Sequence, residues 1–147
     1  MTATLTQRIA DYVCGEEFER LDPAVVQRTK QILTYHIGLA CRATREKHPD
    51  AIKAVTIAQD LSGNCGNATL IGYAQRVTLV EAVFANCSMM RVLGLDDVIF
   101  PAGIHSGLMT VPVALGVGER HQVSGADLIT AVVAGYEVMG KFGQFSW

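Results

Sequence analysis

The sequence predicts an all-α fold, a bundle of about six helices. Apolar residues recur at helical spacing along most of the chain, and strong helix-start signals stand at Asp22-Pro23 and at Ser124. Strand signals are nearly absent, so we expect any extended structure to be confined to Thr69–Gly72. The length of 147 residues predicts one helical domain, residues 1–147.

The first two helices are predicted from spacing and caps. A helix over residues 5–14 has Ile9 and Val13 on one side, and Gly15 stands where a C-terminal cap is expected. Asp22 can accept a backbone hydrogen bond and Pro23 suits the first helical position, so a second helix should begin there and run to about residue 41. Its apolar face carries His36, which we interpret as a core residue rather than a catalytic one.

The remaining helices follow from breakers and caps. Pro49 starts a helix to about residue 60, and glycines 63 and 66 form turns. Thr78 is the expected N-terminal cap of a helix over about residues 79–93 that Gly94 ends. A helix over about residues 106–119 should bend at Pro112. Ser124 and Asp127 are spaced as a capping box for a last helix that reaches about residue 141.

Composition excludes several classes of protein. The formal net charge of −2 gives no support to binding of nucleic acid or an anionic membrane, and no uninterrupted apolar stretch is long enough to span a bilayer. Four dispersed cysteines without a CxxC pair, and a polar N-terminus without a signal peptide, predict reduced thiols in the cytoplasm. The histidines form no HxxxH or HxH pair, so no metal site is expected.

The candidate site lies between the fourth and fifth predicted helices. Asp96 and Asp97 follow the end of a helix, where the macrodipole disfavours acidic residues, and His105 comes eight residues after Asp97. Acid, base and helix end in one loop are an arrangement in which pKa values are tuned. The alternative is a solvated acidic turn beside a surface histidine, and the spacing favours neither interpretation.

Several segments, in their order and spacing, resemble one family. They are Leu21–Val26, Gly66–Gly72, Ala85-Asn86 leading to Asp96-Asp97, His105 with Pro112 and Ala114-Leu115, and Gly125–Ile129 followed by Gly135-Tyr136-Glu137. Together they resemble the N-terminal helical domain of the MmgE/PrpD family of dehydratases, decarboxylases and epimerases. The chain departs from the family pattern at Arg91, Gly94 and Val98, where the family usually has histidine, aspartate and threonine.

The resemblance implies a lyase that acts on a small carboxylate without a metal or organic cofactor. It implies that His105 transfers the proton, with Asp96 and Asp97 completing the catalytic group. We expect Asp97 to orient the imidazole and Asp96 to make structural hydrogen bonds to the loop. Arg91 is the candidate for binding a substrate carboxylate, and a surface arginine without that role is the alternative.

Other functions and partners stay open at this point. An isomerase or epimerase needs only proton abstraction and return, and a non-catalytic subunit could complete a partner's pocket.

Family members are much longer, with a lid domain and further active-site residues that this chain lacks, so the helical domain would be incomplete at its C-terminal side. We therefore expect a second polypeptide that carries the rest of the fold, or else a homodimer. High apolar content and an uncovered final helix, with Leu128, Ile129, Val132 and Val133, motivate that expectation. The residues allow dehydration, decarboxylation or isomerisation of a substrate that they do not identify. They are equally compatible with a natural split subunit and with a fragment.

Overall fold

The computed structural model describes residues 3–63, 65–100 and 103–144, and these ranges confirm the predicted all-α class. The described residues form six α-helices, a short 3₁₀ turn at Phe18–Arg20 and one pair of two-residue strands. The helices are α1 Leu5–Gly15, α2 Pro23–Arg45, α3 Pro49–Ser62, α4 Leu79–Arg91, α5 Ser106–His121 and α6 Gly125–Gln144. None of the helices in these ranges has the length and apolarity needed to cross a membrane.

The predicted start signals are used at two of the helices. The Asp22 carboxylate accepts a hydrogen bond from the backbone N–H of Ala24 at 2.7 Å, directly before α2. Ser124 and Asp127 form the reciprocal capping box before α6. Thr78 is the residue before α4, but its side chain makes no capping hydrogen bond. The sequence therefore located all three starts and overestimated the capping role of one.

The expected position of extended structure was wrong. Strand β1, Ala68–Thr69, pairs antiparallel with β2, Arg76–Val77. The second strand lies outside the expected range because Gly72, with φ of +84°, turns the chain back on itself. Gly66 permits this pairing, since a Cβ atom there would lie 2.1 Å from the carbonyl carbon of Val77.

The core lies around α4, between α2, α3 and α5. Small alanines on these helices let the axes approach, and larger side chains such as Met89, Met90 and Val111 are fully buried between them. Helix α6 packs on α5 and α2. The expectation of an uncovered α6 was wrong, because Ile129 and Val132 are buried in this core and Leu128 and Val133 are partly buried against it.

Candidate active site

The loop between α4 and α5 brings the predicted acidic pair and histidine together. Gly94, with φ of +64°, starts the loop just after α4, and its N–H donates to the carbonyl of Arg91 at 2.9 Å. Across the loop, the N–H of Ile99 donates to the carbonyl of Ile104 at 2.8 Å. His105 is the last residue before α5, so it stands opposite the acidic pair. Pro101 and Ala102 of this loop lie outside the described residues.

Asp96 contacts His105 directly. The Asp96 side chain is only 1% exposed, and its Oδ2 forms a short hydrogen bond with Nδ1 of His105. An ionised carboxylate can only accept, so Nδ1 carries the proton in this contact and Nε2 of the neutral imidazole has a free lone pair. Nε2 has no hydrogen-bond partner among the described residues, and the imidazole is 36% exposed. The arrangement can therefore accept a proton from outside at Nε2 while Asp96 stabilises the charge that forms.

Arg91 is the second partner of the buried carboxylate. Its Nη1 lies 3.2 Å from Oδ1 of Asp96, and its side chain is 52% exposed. A guanidinium has five N–H donors, and within the described part of the chain only this contact uses one of them, so donors are available for an anion. Arg91 also lines a shallow surface groove of about 340 Å³ with Lys53 and Phe84. The contact with Asp96 gives Arg91 a structural role in the loop.

Asp97 is held by three other donors. Its Oδ1 accepts from the backbone N–H of Gly107 at 3.0 Å and lies 3.1 Å from Nε2 of His36, while Oδ2 accepts from the hydroxyl of Tyr136 at 2.8 Å. These donors come from α5, α2 and α6. The expected division of roles was therefore wrong: Asp96 contacts the His105 imidazole, and Asp97 makes the structural hydrogen bonds.

The contacts of Asp97 shift its own pKa and those of its two side-chain partners, His36 and Tyr136. Burial lowers the pKa of His36, but the hydrogen bond to Asp97, the carbonyl of Ile32 and the negative charge of Asp97 outweigh it, and the net pKa is raised. Burial raises the pKa of Asp97, and the hydrogen bonds from His36, Tyr136 and Gly107 more than offset it, so the net pKa is lowered. Burial and the hydrogen bond to Asp97 both raise the pKa of Tyr136. The lowered pKa of Asp97 and the raised pKa values of His36 and Tyr136 all correspond to an ionised Asp97.

Sequence reasoning missed His36 and Tyr136 as part of this cluster. His36 is indeed a satisfied core residue, with 0% exposure and a partner on each ring nitrogen, as we expected. Its pairing with Asp97, 61 positions away, has no signal in spacing along the chain. Tyr136 lay in a segment that carried the family resemblance, and that was the one available signal for it.

Two larger surface grooves lie along α6, and His105 lines neither of them. One, of about 780 Å³, is lined in part by Glu16, Glu17 and Asp127. The other, of about 660 Å³, lies between α5 and α6 and is mainly apolar. Within residues 3–63, 65–100 and 103–144, His, Cys, Asp and Glu side chains form no group of three or more that could hold a metal ion.

Comparisons with known proteins agree with the geometry of a helical domain. The family model described as the MmgE/PrpD N-terminal domain matches residues 7–147. A cis-aconitate decarboxylase of Aspergillus terreus is 23% identical over 145 residues, which cover 95% of this chain and 29% of that protein. The cis-aconitate decarboxylase-like protein oryM of Aspergillus oryzae is 26% identical over 147 residues, which cover 95% and 30%. The chain thus spans less than a third of the length of these relatives. No solved structure matches it significantly.

Proposed function

The chain belongs to the MmgE/PrpD family, and on that premise we propose that it forms the proton-transfer part of a lyase acting on a small carboxylate. The observation that carries the proposal is the contact of His105 with the buried Asp96 carboxylate, which leaves Nε2 of the histidine without a hydrogen-bond partner among the described residues. Two relatives named for cis-aconitate decarboxylation make an unsaturated carboxylic acid the first substrate class to test.

The chemistry asks for one group that can hold a proton and release it. In a decarboxylation the bond to the departing carboxylate breaks and a proton is delivered to carbon, whereas a dehydration begins with proton removal beside a carboxylate. His105 serves either direction, because Asp96 fixes its orientation through Nδ1 and stabilises the imidazolium form. Well-placed acid–base groups of this kind contribute roughly 100-fold to 10,000-fold in rate.

Arg91 binds a carboxylate of the substrate in this proposal. Its half-exposed guanidinium has unused donors and is tied at one side to the same Asp96 that orients His105. The substrate anion would therefore be held beside the imidazole. Holding it there lowers the entropy that must be lost to reach the transition state.

We propose that further polypeptide completes the pocket, since the match covers less than a third of the length of its relatives. We assign this role to a second chain that carries the rest of the fold, with a homodimer as the other arrangement. The apolar groove between α5 and α6 supports the need for a covering partner: Met109, Val113 and Val117 line it and are 59%, 45% and 42% exposed.

The test compares His105→Asn with His121→Asn in the complete assembly. His121 is an exposed histidine at the end of α5, the helix that His105 precedes, so its substitution controls for loss of a histidine elsewhere in this part of the fold. With cis-aconitate as the probe, CO₂ release and loss of the unsaturated acid are measured. We expect His105→Asn to lower kcat about 100-fold or more and His121→Asn to leave it within about twofold.

Near-normal turnover by a folded His105→Asn protein would overturn the proposed role. Exchange of a substrate C–H for deuterium without loss of CO₂ or water would instead favour the isomerase alternative. Sedimentation of the assembly tests the partner: full turnover by a well-behaved monomer of this chain would contradict the need for one.

A further inference from the structure

Both ring nitrogens of His36 face oxygen atoms that accept hydrogen bonds. Nδ1 lies 2.9 Å from the carbonyl oxygen of Ile32, and Nε2 lies 3.1 Å from Oδ1 of Asp97. A carbonyl has no proton to give, so Nδ1 must carry one. A neutral imidazole has only one N–H, and its Nε2 lone pair would then point at a carboxylate oxygen.

The protons around Asp97 show on which side of this contact the shared proton lies. The same Oδ1 accepts the N–H of Gly107, and Oδ2 accepts the hydroxyl of Tyr136. A carboxylate that already accepts several hydrogen bonds is stabilised in its ionised form. The proton between the two residues therefore belongs to Nε2, and the arrangement is an imidazolium paired with a carboxylate.

We propose that His36 is a buried, protonated positioning residue that holds Asp97, and through it the Asp96–His105 pair, in reactive geometry. The positioning role rests on the proposed function, whereas the charge of His36 does not.

The link to the reacting pair runs through both ends of the loop. Asp97 is adjacent to Asp96 in the chain, and the Gly107 amide that it binds comes two residues after His105. Asp97 therefore holds the backbone next to Asp96 and, through Gly107, the backbone two residues after His105. A neutral His36 would repel Oδ1 of Asp97, and the loop would lose the contact that aligns its two ends.

The surroundings of His36 make its charge stable and specific. Its side chain is 1% exposed, so the positive charge is compensated by protein groups instead of water. Asp97 and Asp96 from the loop both favour the charged form, Tyr136 of α6 donates to Asp97, and the ring of Tyr35 meets the imidazole edge-on at 5.6 Å. Helix α5 presents the uncharged backbone of Gly107.

The first test is direct and needs no enzyme activity. Nitrogen-15 NMR of the histidine rings in the full chain reports whether each nitrogen carries a proton. We expect both nitrogens of His36 to be protonated at pH 7.5, with exposed His121 providing reference signals in the same spectra. A single ring proton on His36 at that pH would overturn the inference.

The second test measures positioning in the active assembly. His36→Gln retains an amide donor but no charge, and His121→Gln is the matched control. We expect His36→Gln to lower kcat about tenfold with KM within about twofold. The pH–rate profile should also move to higher pH, because the site has lost a positive charge. A purely structural role would leave that profile in place.

The outcomes separate the two proposals. Unchanged kcat and an unchanged pH profile in His36→Gln would refute the positioning role. Absence of lyase turnover in the wild-type assembly would contradict the proposed function, while the NMR spectra would still decide the charge of His36.

Discussion

Replacement of Gly107 by alanine should break the cluster around Asp97. A Cβ atom at this position would lie 2.1 Å from Nε2 of His36 and 2.5 Å from Oδ1 of Asp97. The imidazole would have to retreat by more than 1 Å to reach the 3.4 Å of ordinary contact. Such a movement is blocked, because the imidazole is fully buried and its Nδ1 is held by the carbonyl of Ile32.

The magnitude follows from two costs and one gain. Overpacking costs about 1–3 kcal/mol, and weakened hydrogen bonds to the charged Asp97 add about 1.5–3 kcal/mol. Alanine returns up to about 1 kcal/mol through its helix preference. We therefore expect Gly107→Ala to lower the free energy of unfolding by about 1.5–6 kcal/mol, measured by urea denaturation of the full chain.

Gly38→Ala provides the matched control. Gly38 lies inside α2, and apart from its chain neighbours and the adjoining helix backbone no atom of the described residues lies within 4 Å of a Cβ built there, so alanine should be neutral or stabilise by up to about 1 kcal/mol. In a His36→Ala background the clash with the imidazole is removed and the one with Asp97 stays, so Gly107→Ala should cost less than in the wild-type protein. Equal stability of Gly107→Ala and wild type, or additive costs in the double variant, would refute the steric reasoning.

Two further predictions concern parts of the fold outside the candidate site. Glu119 accepts hydrogen bonds from the backbone and hydroxyl of Thr69 and pairs with Arg76, so Glu119→Gln should cost about 1 kcal/mol in thermal or urea unfolding. Burial raises the pKa of Glu119, but the hydrogen bonds from Thr69 and the contact with Arg76 have the larger opposite effect, so the net pKa is lowered. Its stabilisation is therefore present above the ordinary value of 4.5 and lost as pH falls through the lowered pKa, and wild type and Glu119→Gln should converge in acid. Ser124→Ala removes the capping box with Asp127 and should cost about 1 kcal/mol, and an unchanged unfolding midpoint would show that the cap is dispensable.

The helices were predictable because their determinants are local. Asp22-Pro23 fixes a helix start within three residues, and apolar spacing identifies the buried face of α2, including His36. The strand pair was not predictable in the same way. β2 depends on a turn at Gly72 and on the close approach of Gly66 to Val77, which are properties of the folded chain.

The candidate site was predictable only in part for the same reason. Asp96, Asp97 and His105 share one loop, so their proximity followed from sequence. Which carboxylate faces His105 depends on the direction in which α2 and α6 present His36 and Tyr136 to Asp97. No spacing rule gives that direction, and the two aspartates were accordingly assigned the wrong way round.

The hydrogen bonds of Asp97 also bear on the order in which the protein folds. Its partners lie 61, 39 and 10 positions away along the chain, on three different helices. The contacts across 61 and 39 positions pay their loop-closure entropy before they stabilise anything, so we expect them to form after the helices. An early folding species can thus have nearly full helical content and no aligned site. The amide proton of Gly107, whose acceptor is Asp97, should then exchange with solvent only through openings that separate these helices.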